Sequence, residues 1–360
     1  MTTPAGGSTP APAPPSTAPG PVRTAAMAPR EGAAHTRIMS VGACRPDQVV
    51  TNADICATID STDEWIRERS GIESRRMAPS DVSMIDMAAD AGRDALARSG
   101  LAAEEIGAVL LATSTHLRPT PSAAAVVAHR VGVAPAAAMD VAAGCAGFCH
   151  AVALGSDLVK GGTTRHVLVI GAEKLSLFLD PTDRSTAFLF ADGAGAVVIG
   201  PSDRPQIGPT VWGSDGSQAD VITTRSSWMQ YREEPGASWP FVTMQGQSVF
   251  RWAVFAMAKA AQAALDASGV SAADLTAFVP HQANLRIIEA LGKKLRLPDH
   301  VVVARDVVTA GNTSAASVPL AIDALLTAQA AGGPRVSGGL ALLIGFGAGL
   351  SYAAQVVQLP

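Results

Sequence analysis

Aromatic and charged residues are both scarce in this chain of 360 residues. Phe, Trp and Tyr make up 4% of the sequence and Asp, Glu, Lys and Arg 16%, whereas hydrophobic residues reach 48%. The formal net charge of −4 gives no sign of a nucleic-acid partner, which would require a basic surface. Small aliphatic side chains must therefore build a large core, and the length predicts one large or two fused domains.

The sequence also lacks a secretory signal, a Cys-x-x-Cys pair and an apolar run long enough to indicate a membrane-spanning helix. We therefore expect a cytoplasmic protein with free thiols and no membrane partner. Cys145 and Cys149 form a Cys-x3-Cys pair that could supply two ligands to a metal ion. Convincing further ligands are missing, so no metal is expected. The cysteines are Cys44, Cys56, Cys145 and Cys149.

The start of the chain differs in composition from the rest. Residues 1–34 are mostly Pro, Ala, Gly, Ser and Thr, without the apolar block of a signal peptide or the periodicity of a helix. This composition predicts a disordered tail. Met27 lies just before the folded pattern begins, so either Met1 or Met27 can be the natural start.

The chain contains an internal repeat. Residues 95–108 (ALARSGLAAEEIGA) match residues 264–277 (ALDASGVSAADLTA). Each segment is interpreted as the end of a helix, with a glycine at its C-terminal cap, followed by a buried strand. Chance similarity between Ala-rich helices is the alternative, but a second pair of matching segments makes it the weaker one.

That second pair consists of two glycine-containing turns. Residues 143–147 (AGCAG) correspond to residues 310–314 (AGNTS), so Cys145 and Asn312 occupy equivalent places, and His281 corresponds to Ser114. The repeat predicts an α/β protein with two pseudo-twofold halves, residues 35–208 and 209–360.

Cys145 is the candidate nucleophile. It follows an apolar segment and lies between Gly144 and Gly147 ahead of a helical stretch, and a tight turn presents its side chain outward. A helix N-terminus favours the thiolate, which is the reactive form. For a cysteine without such a context, a buried structural role would be the better interpretation. The glycine-flanked turn reverses this for Cys145, whereas we interpret Cys149 as a core residue.

His281 and Asn312 are the candidate partners of the cysteine. His281 directly follows a buried strand, and α/β proteins place ligands at the carboxyl ends of strands. Asn312 opens the second-half helix, where an asparagine is often only an N-cap. Its correspondence with Cys145 favours a functional role. Residues 345–349 (GFGAG) superficially resemble a nucleotide-binding loop, but a strand is expected to follow rather than a helix.

Taken together, these motifs resemble the β-ketoacyl-acyl carrier protein synthase III family of the thiolase superfamily. Residues 226–231 (SSWMQY) and 244–254 in particular resemble the starter-unit ketosynthases that prime aromatic polyketide pathways. The resemblance covers roughly residues 37–358 and implies an α/β thiolase fold in a layered αβαβα arrangement. The motifs that carry it are residues 61–66 (STDEWI), 69–72 (RSGI), 140–148 (DVAAGCAGF), 180–184 (DPTDR), 191–198 (ADGAGAVV), 281–288 (HQANLRII), 310–314 (AGNTS) and 345–353 (GFGAGLSYA).

The resemblance also implies roles for individual residues. Cys145 matches the acylated nucleophile, and His281 and Asn312 match the pair that assists decarboxylation of malonyl. The backbone N–H groups of Cys145 and Ala348 match the oxyanion hole. Coenzyme A and its pantetheine arm would be bound by Trp65, Arg69, Arg184, Gly246, Phe250 and Asn284, and an acidic carrier protein would dock on Arg251, Arg286, Lys293 and Lys294. For the two lysines a solvated helix face is an equal alternative.

The implied activity is a decarboxylative condensation. Acyl-CoA acylates Cys145, and malonyl-acyl carrier protein then supplies a carbanion in a ping-pong order. No cofactor is expected, and a homodimer is implied. Many family members with short, straight starters have Phe where this chain has Thr120, so we predict a wider acyl pocket and a starter larger than acetyl.

Two alternatives remain open at the level of sequence. One is an acyltransferase of the same fold that forms an ester or amide without decarboxylation, a class that often lacks the asparagine. The other is a catalytically silent subunit of a multienzyme synthase, against which the intact Cys145, His281 and Asn312 argue.

Overall fold

The computed structural model describes residues 1–2, 7 and 27–360, so most of the predicted tail lies outside the described residues. The chain divides into two units, Met1–Arg30 and Glu31–Pro360. Every helix and strand of the described residues belongs to the second unit. The Ala33 N–H donates to the Val159 carbonyl at 3.2 Å, so the end of the predicted tail packs with the folded unit.

The described residues form strands and helices in the following order. The strands are β1 His35–Cys44, β2 Val49–Thr51, β3 Ser74–Arg76, β4 Ile106–Ala112, β5 Ala137–Val141, β6 His166–Lys174, β7 Asp192–Ser202, β8 Val211–Ser214, β9 Ile222–Thr224, β10 Val242–Met244, β11 Ala277–Pro280, β12 Val302–Val303, β13 Leu340–Gly347 and β14 Ser351–Gln358. The helices are α1 Asn52–Cys56, α2 Asp63–Ser70, α3 Met84–Ser99, α4 Ala123–Val131, α5 Gly147–Lys160, α6 Trp228–Glu233, α7 Gly246–Ser268, α8 Leu285–Lys294, α9 Val307–Ala310 and α10 Ser317–Ala330.

Two five-stranded sheets with the same topology form the centre of the molecule. Their strand orders are β1-β7-β6-β4-β5 and β8-β14-β13-β11-β12. In the first, β4 is parallel to β5 and β6, and β7 is antiparallel to β6 and β1. In the second, β11 is parallel to β12 and β13, and β14 is antiparallel to β13 and β8. The boundary predicted at residues 208 and 209 falls between β7 and β8.

The helices complete a five-layered α/β arrangement. Helices α5 and α10 contact strands of both sheets and share one apolar cluster with their inner faces. The outer face of the first sheet packs against α3 and α4, and that of the second against α7 and α8. Both outer faces are thus covered, which explains continuous apolar strands such as β6, whose residues are all buried.

The internal repeat correctly located these elements. Helix α3 is capped at its C-terminus by Gly100 with φ of 72° and leads to β4, while α7 is capped by Gly269 with φ of 66° and leads to β11. The expected strand after residues 345–349 is β14. Cys149 is buried with 0% exposure, as its interpretation as a core residue predicts.

Candidate active site

Cys145 lies in a short 3₁₀ helix, Gly144–Ala146, between β5 and α5. Gly144 has φ of 52°, a left-handed conformation that favours glycine. A Cβ placed on Gly347 of β13 would lie 2.8 Å from the Cys145 Cβ and 3.1 Å from its Sγ. The second sheet therefore approaches the cysteine so closely that only glycine fits at this position.

The pKa of Cys145 departs from the sequence-based expectation. Burial raises it to about 12, the negative charge of Glu173 raises it too, and a hydrogen bond with Ser314 acts in the opposite direction. Helix α5 begins at Gly147. Desolvation of the thiol thus opposes the thiolate that the turn was predicted to favour.

His281 directly follows β11, as predicted, and is held on three sides. Its N–H donates to the Ile344 carbonyl at 2.7 Å, and its ring packs edge-on to Phe346 with centroids 5.2 Å apart. Its Nδ1 lies 2.7 Å from the Ser317 Oγ. Burial lowers the pKa of His281 to about 3, so the imidazole is neutral at neutral pH.

Asn312 precedes a 3₁₀ helix, Ser314–Ala316, which leads into α10. Its Oδ1 accepts the Ser314 N–H at 2.9 Å. This bond fixes the orientation of the amide and leaves Nδ2 as a donor on its other side. The Asn312 N–H donates to the Leu189 carbonyl, and its carbonyl accepts from the Ala191 N–H, both at 2.9 Å. The first half thereby fixes an amide of the second half.

A chain of neighbouring contacts connects the three predicted residues. Asn312 bonds to Ser314, and the 3₁₀ helix that begins at Ser314 contacts the 3₁₀ helix of Cys145. On the other side, His281 packs on Phe346, which precedes the Gly347 that approaches Cys145. The sequence-based proposal that both turns face one site agrees with these contacts.

A cavity of about 730 Å³ reaches Asn312, whereas Cys145 and His281 are not among its lining residues. At the cavity wall the Arg184 guanidinium lies 4.4 Å from the centre of the Trp65 ring, and that of Arg69 lies 5.9 Å from it. Cationic and aromatic surfaces of this kind suit the phosphates and base of a nucleotide. The predicted residues that line the cavity are Trp65, Arg69, Arg184, Gly246, Phe250, Arg251, Asn284, Arg286 and Asn312.

Three of these residues have a structural contact as well. The Asn284 Oδ1 accepts the Ile287 N–H at 2.9 Å and so caps α8. The Arg286 guanidinium lies 5.7 Å from the centre of the Phe250 ring. The cavity wall at α7 and α8 is therefore organised by Phe250 and Asn284, which were predicted to contact pantetheine, and by Arg286, which was predicted to contact the carrier protein.

The other predicted residues lie elsewhere. A Cβ on Gly144 would lie 3.4 Å from the Ala348 backbone N, so the two predicted oxyanion-hole segments are adjacent. Lys293 and Lys294 are exposed on α8, outside the cavity lining. Thr120 is exposed on the loop before α4 and does not line the cavity.

Sequence reasoning missed three polar residues of this site. Glu173 is buried and accepts the Ser314 hydroxyl at 3.1 Å, and Ser317 contacts His281. The repeat carried one signal for Glu173, because β6 and β13 match and Glu173 stands in β6 where Gly347 stands in β13. The serines follow Asn312 closely, but their residue type alone indicates only a turn.

Comparisons with known proteins point in one direction. A family model for 3-oxoacyl-[acyl-carrier-protein (ACP)] synthase III matches residues 139–216, and one for the C-terminal part of this enzyme matches residues 265–359. The chain is similar to the β-ketoacyl-[acyl-carrier-protein] synthase III of Streptomyces glaucescens, with 53% identity over 92% of this chain and 98% of the relative.

Solved structures give the same result. The chain is similar to the priming β-ketosynthase of the R1128 polyketide biosynthetic pathway, with a TM-score of 0.90 and 46% identity over 94% of this chain and 99% of the other. It is also similar to 3-oxoacyl-[acyl-carrier-protein] synthase III from Aquifex aeolicus, with a TM-score of 0.81 and 35% identity over 90% and 99% of the two chains.

Proposed function

The chain belongs to the 3-oxoacyl-[acyl-carrier-protein] synthase III family and has the thiolase fold of that family, and on this premise we propose that it is a starter-unit condensing enzyme. An acyl-CoA acylates Cys145, and malonyl-acyl carrier protein then extends the acyl group with loss of carbon dioxide. The product is a β-ketoacyl-acyl carrier protein. Two observations together support this proposal: a neutral His281 packs on Phe346, next to the Gly347 that meets Cys145, and the Asn312 amide is oriented by its bond to Ser314.

Loss of carbon dioxide from malonyl leaves an enolate, whose oxygen needs hydrogen-bond donors. Ser317 accepts the Gln282 N–H at 3.3 Å, so its own proton is available for Nδ1 of His281. The imidazole then carries its proton on Nε2 and can donate it in a hydrogen bond. The Nδ2 group of Asn312 is a second donor, and two fixed donors at a developing oxyanion are a major source of rate acceleration.

The carbanion then attacks the thioester carbon of acyl-Cys145. The backbone N–H groups of Cys145 and Ala348, which lie on adjacent segments, would hold the resulting oxyanion. Every bond in this sequence is formed between the substrates and groups of the chain itself. We therefore propose a reaction without a cofactor.

We further propose that the enzyme primes polyketide or fatty acid synthesis with a starter larger than acetyl. The similarity to a priming β-ketosynthase supports this assignment, as does the small side chain of Thr120. Because Thr120 is exposed in this chain, it can line an acyl pocket only where a second subunit covers it.

The carrier protein would approach the cavity over basic side chains. Arg251 and Arg286 are exposed and also line the cavity, so an acidic carrier protein bound there could deliver its pantetheine arm directly. Lys293 and Lys294 extend the positive charge along α8, and Lys294 Nζ also lies 4.6 Å from the centre of the Phe255 ring. Salt should weaken this docking.

Two half-reactions test the proposal separately. Intact-mass measurement after incubation with a panel of acyl-CoAs should show acylation that disappears in Cys145→Ala, with a starter larger than acetyl reacting fastest. Fastest acylation by acetyl-CoA would contradict the starter assignment but not the activity.

Release of carbon dioxide from malonyl-acyl carrier protein measures the second half-reaction. Asn312→Ala should retain acylation and lose about 100- to 1,000-fold in decarboxylation, the usual effect of removing one oxyanion donor. Equal loss in both half-reactions would contradict the role of Asn312. Acyl transfer without any carbon dioxide release would instead support an ester- or amide-forming enzyme.

A further inference from the structure

Arg75, at the centre of β3, is a fully buried arginine to which the proposed reaction assigns no role. The residue is 0% exposed. Its guanidinium donates to the Asn52 Oδ1 at 2.8 Å, the Phe188 carbonyl at 2.9 Å and the Val50 carbonyl at 3.2 Å. None of these three oxygen atoms belongs to a carboxylate, so each bond sets the positive charge against a dipole rather than a negative charge.

A buried cation of this kind is a poor device for stability alone. Arginine is almost never fully buried unless it is paired, and apolar residues of similar volume often stabilise a core at least as well as buried charges do. The guanidinium group does offer several donors in a rigid, planar arrangement, which can fix more than one acceptor at once. The backbone that Arg75 fixes is therefore the better explanation for its presence.

The Phe188 carbonyl belongs to the backbone segment that holds Asn312. In the next residue of this segment, the Leu189 carbonyl accepts the Asn312 N–H at 2.9 Å, and the Ala191 N–H donates to the Asn312 carbonyl at 2.9 Å. Arg75 thus anchors the start of a short segment whose following residues pair with the asparagine backbone.

The stem of Arg75 also lies against the residue before the asparagine. Gly311 has φ of 72°, and a Cβ placed on it would lie 2.7 Å from the Arg75 Cβ and 2.9 Å from the Ala191 Cβ. The backbone of Gly311 is therefore enclosed between the arginine and the anchored segment. A change at Arg75 would reach Asn312 from both of these sides.

Strand β3 is itself bound to α9, the helix that precedes the asparagine. The Glu73 N–H donates to the Val308 carbonyl at 2.7 Å, and the Ser74 hydroxyl donates to the Thr309 carbonyl at 3.0 Å. The strand that carries the arginine, the helix before the asparagine and the segment that pairs with it thus form one connected unit.

We propose that Arg75 is a positioning residue for decarboxylation, which holds the Asn312 amide at the place where the enolate oxygen forms. Arg75 does not contact the substrate in this proposal, and its effect passes through Asn312. A displacement of about 1 Å at a reacting group can cost about 100-fold in rate. The inference rests on the role proposed for Asn312, and acylation of Cys145, which does not use this donor, should be almost independent of Arg75.

Arg75→Met tests the proposal, because it removes the guanidinium but retains most of the apolar stem. Carbon dioxide release at saturating malonyl-acyl carrier protein should fall about 10- to 100-fold. Single-turnover acylation at saturating acyl-CoA should change little. Phe188 lines the cavity, so any displacement of the cavity wall should appear in the KM values, whereas the loss of the oriented amide should appear in kcat for decarboxylation.

Arg76→Met provides a matched control on the next residue of the same strand. The Arg76 guanidinium also donates to backbone, but its acceptor at 2.9 Å is the Pro46 carbonyl rather than the Phe188 carbonyl. The control therefore loses the same group at a neighbouring position without releasing the segment that holds Asn312. Both half-reactions of Arg76→Met should retain their wild-type rates.

A double-mutant cycle separates positioning from a general structural effect. In the Asn312→Ala background, Arg75→Met should cause almost no further loss of carbon dioxide release, because the group through which the arginine acts is already absent. An arginine that only stabilises the fold would lower the rate by the same factor in both backgrounds.

Three results would overturn the positioning role of Arg75: wild-type carbon dioxide release in Arg75→Met, an equal loss of both half-reactions, or the same factor in both backgrounds of the cycle. If Arg75→Met does not fold, Arg75→Lys replaces it, since lysine retains the charge but lacks the planar set of donors. An unchanged ratio of the two half-reaction rates in Arg75→Lys would then overturn the role. Wild-type decarboxylation in Asn312→Ala would instead refute the proposed role of Asn312, and that of Arg75 with it.

Discussion

At the scale of single residues, the proton on His281 depends on one hydroxyl group. Ser317 is 1% exposed and lies at the start of α10, with its Oγ 2.7 Å from the His281 Nδ1. This oxygen accepts the Gln282 N–H, and a proton donated from it to Nδ1 would select the tautomer that donates from Nε2. A helix residue that contacts no substrate would thus prepare a donor for the enolate.

Ser317→Ala should therefore slow decarboxylation by up to about 100-fold, because His281 loses the bond that selects its tautomer. Acylation of Cys145 should change little. Ser268→Ala is a suitable control, since the described residues offer no hydrogen-bond partner to the Ser268 hydroxyl. If the ratio of the decarboxylation rate to the acylation rate is the same in Ser317→Ala as in the wild type, Ser317 does not have this role.

At the scale of secondary structure elements, β13 brings the second sheet against the nucleophile turn. A Cβ on Gly347 would lie 2.9 Å from the Cys145 backbone N as well as 2.8 Å from its Cβ. The alanine variant must therefore displace either the strand or the turn. The position of Cys145 in the first half thus depends on the absence of a side chain at Gly347 in the second half.

Gly347→Ala should reduce acylation by at least about 10-fold while the protein remains folded, because a small displacement of reacting groups has a large effect on rate. Single-turnover acylation and thermal unfolding measure the two effects. Gly216→Ala should change neither, since a Cβ there meets no atom within 4 Å. Wild-type acylation in Gly347→Ala would show that the turn adapts at no cost.

The elements themselves were predictable because their signals are local. Residues 95–108 and 264–277 contain helix ends, glycine caps and the first residues of apolar strands, and the structure confirms each of them. The acidity of Cys145 was not predictable, because it depends on burial and on the charge of Glu173, which lies on β6, distant in sequence. Motifs identified Cys145, His281 and Asn312 by residue type, whereas Ser314 and Ser317 become recognisable only through their contacts.

At the scale of the whole molecule, one sheet ends in an exposed strand. Strand β5 pairs with β4 and is the last strand of its sheet. Met139 at its centre is 44% exposed. An exposed edge offers unpaired N–H and C=O groups to a second chain, and we propose that this edge is the interface of the homodimer that the family resemblance implies. Within residues 1–2, 7 and 27–360, no helix is long and apolar enough to cross a bilayer.

Met139→Lys should convert the dimer to a monomer at micromolar concentration, because a charge on the central residue of a paired edge is costly to bury. Sedimentation velocity measures the change. Val49→Lys, a comparable substitution at a residue that is 49% exposed on β2, should leave the assembly intact. A Met139→Lys variant that sediments like the wild type would exclude β5 as the interface.

The hydrogen bonds that join Asn312 to Leu189 and Ala191 determine whether the two halves could be active as separate fragments. Each half contributes a reactive group whose position is set by the other half, so a fragment that ends between β7 and β8 would keep its nucleophile but lose the surroundings that make it useful. Two separately produced fragments should regain activity only by reassociating. The covalent link between the halves serves to keep them at high effective concentration.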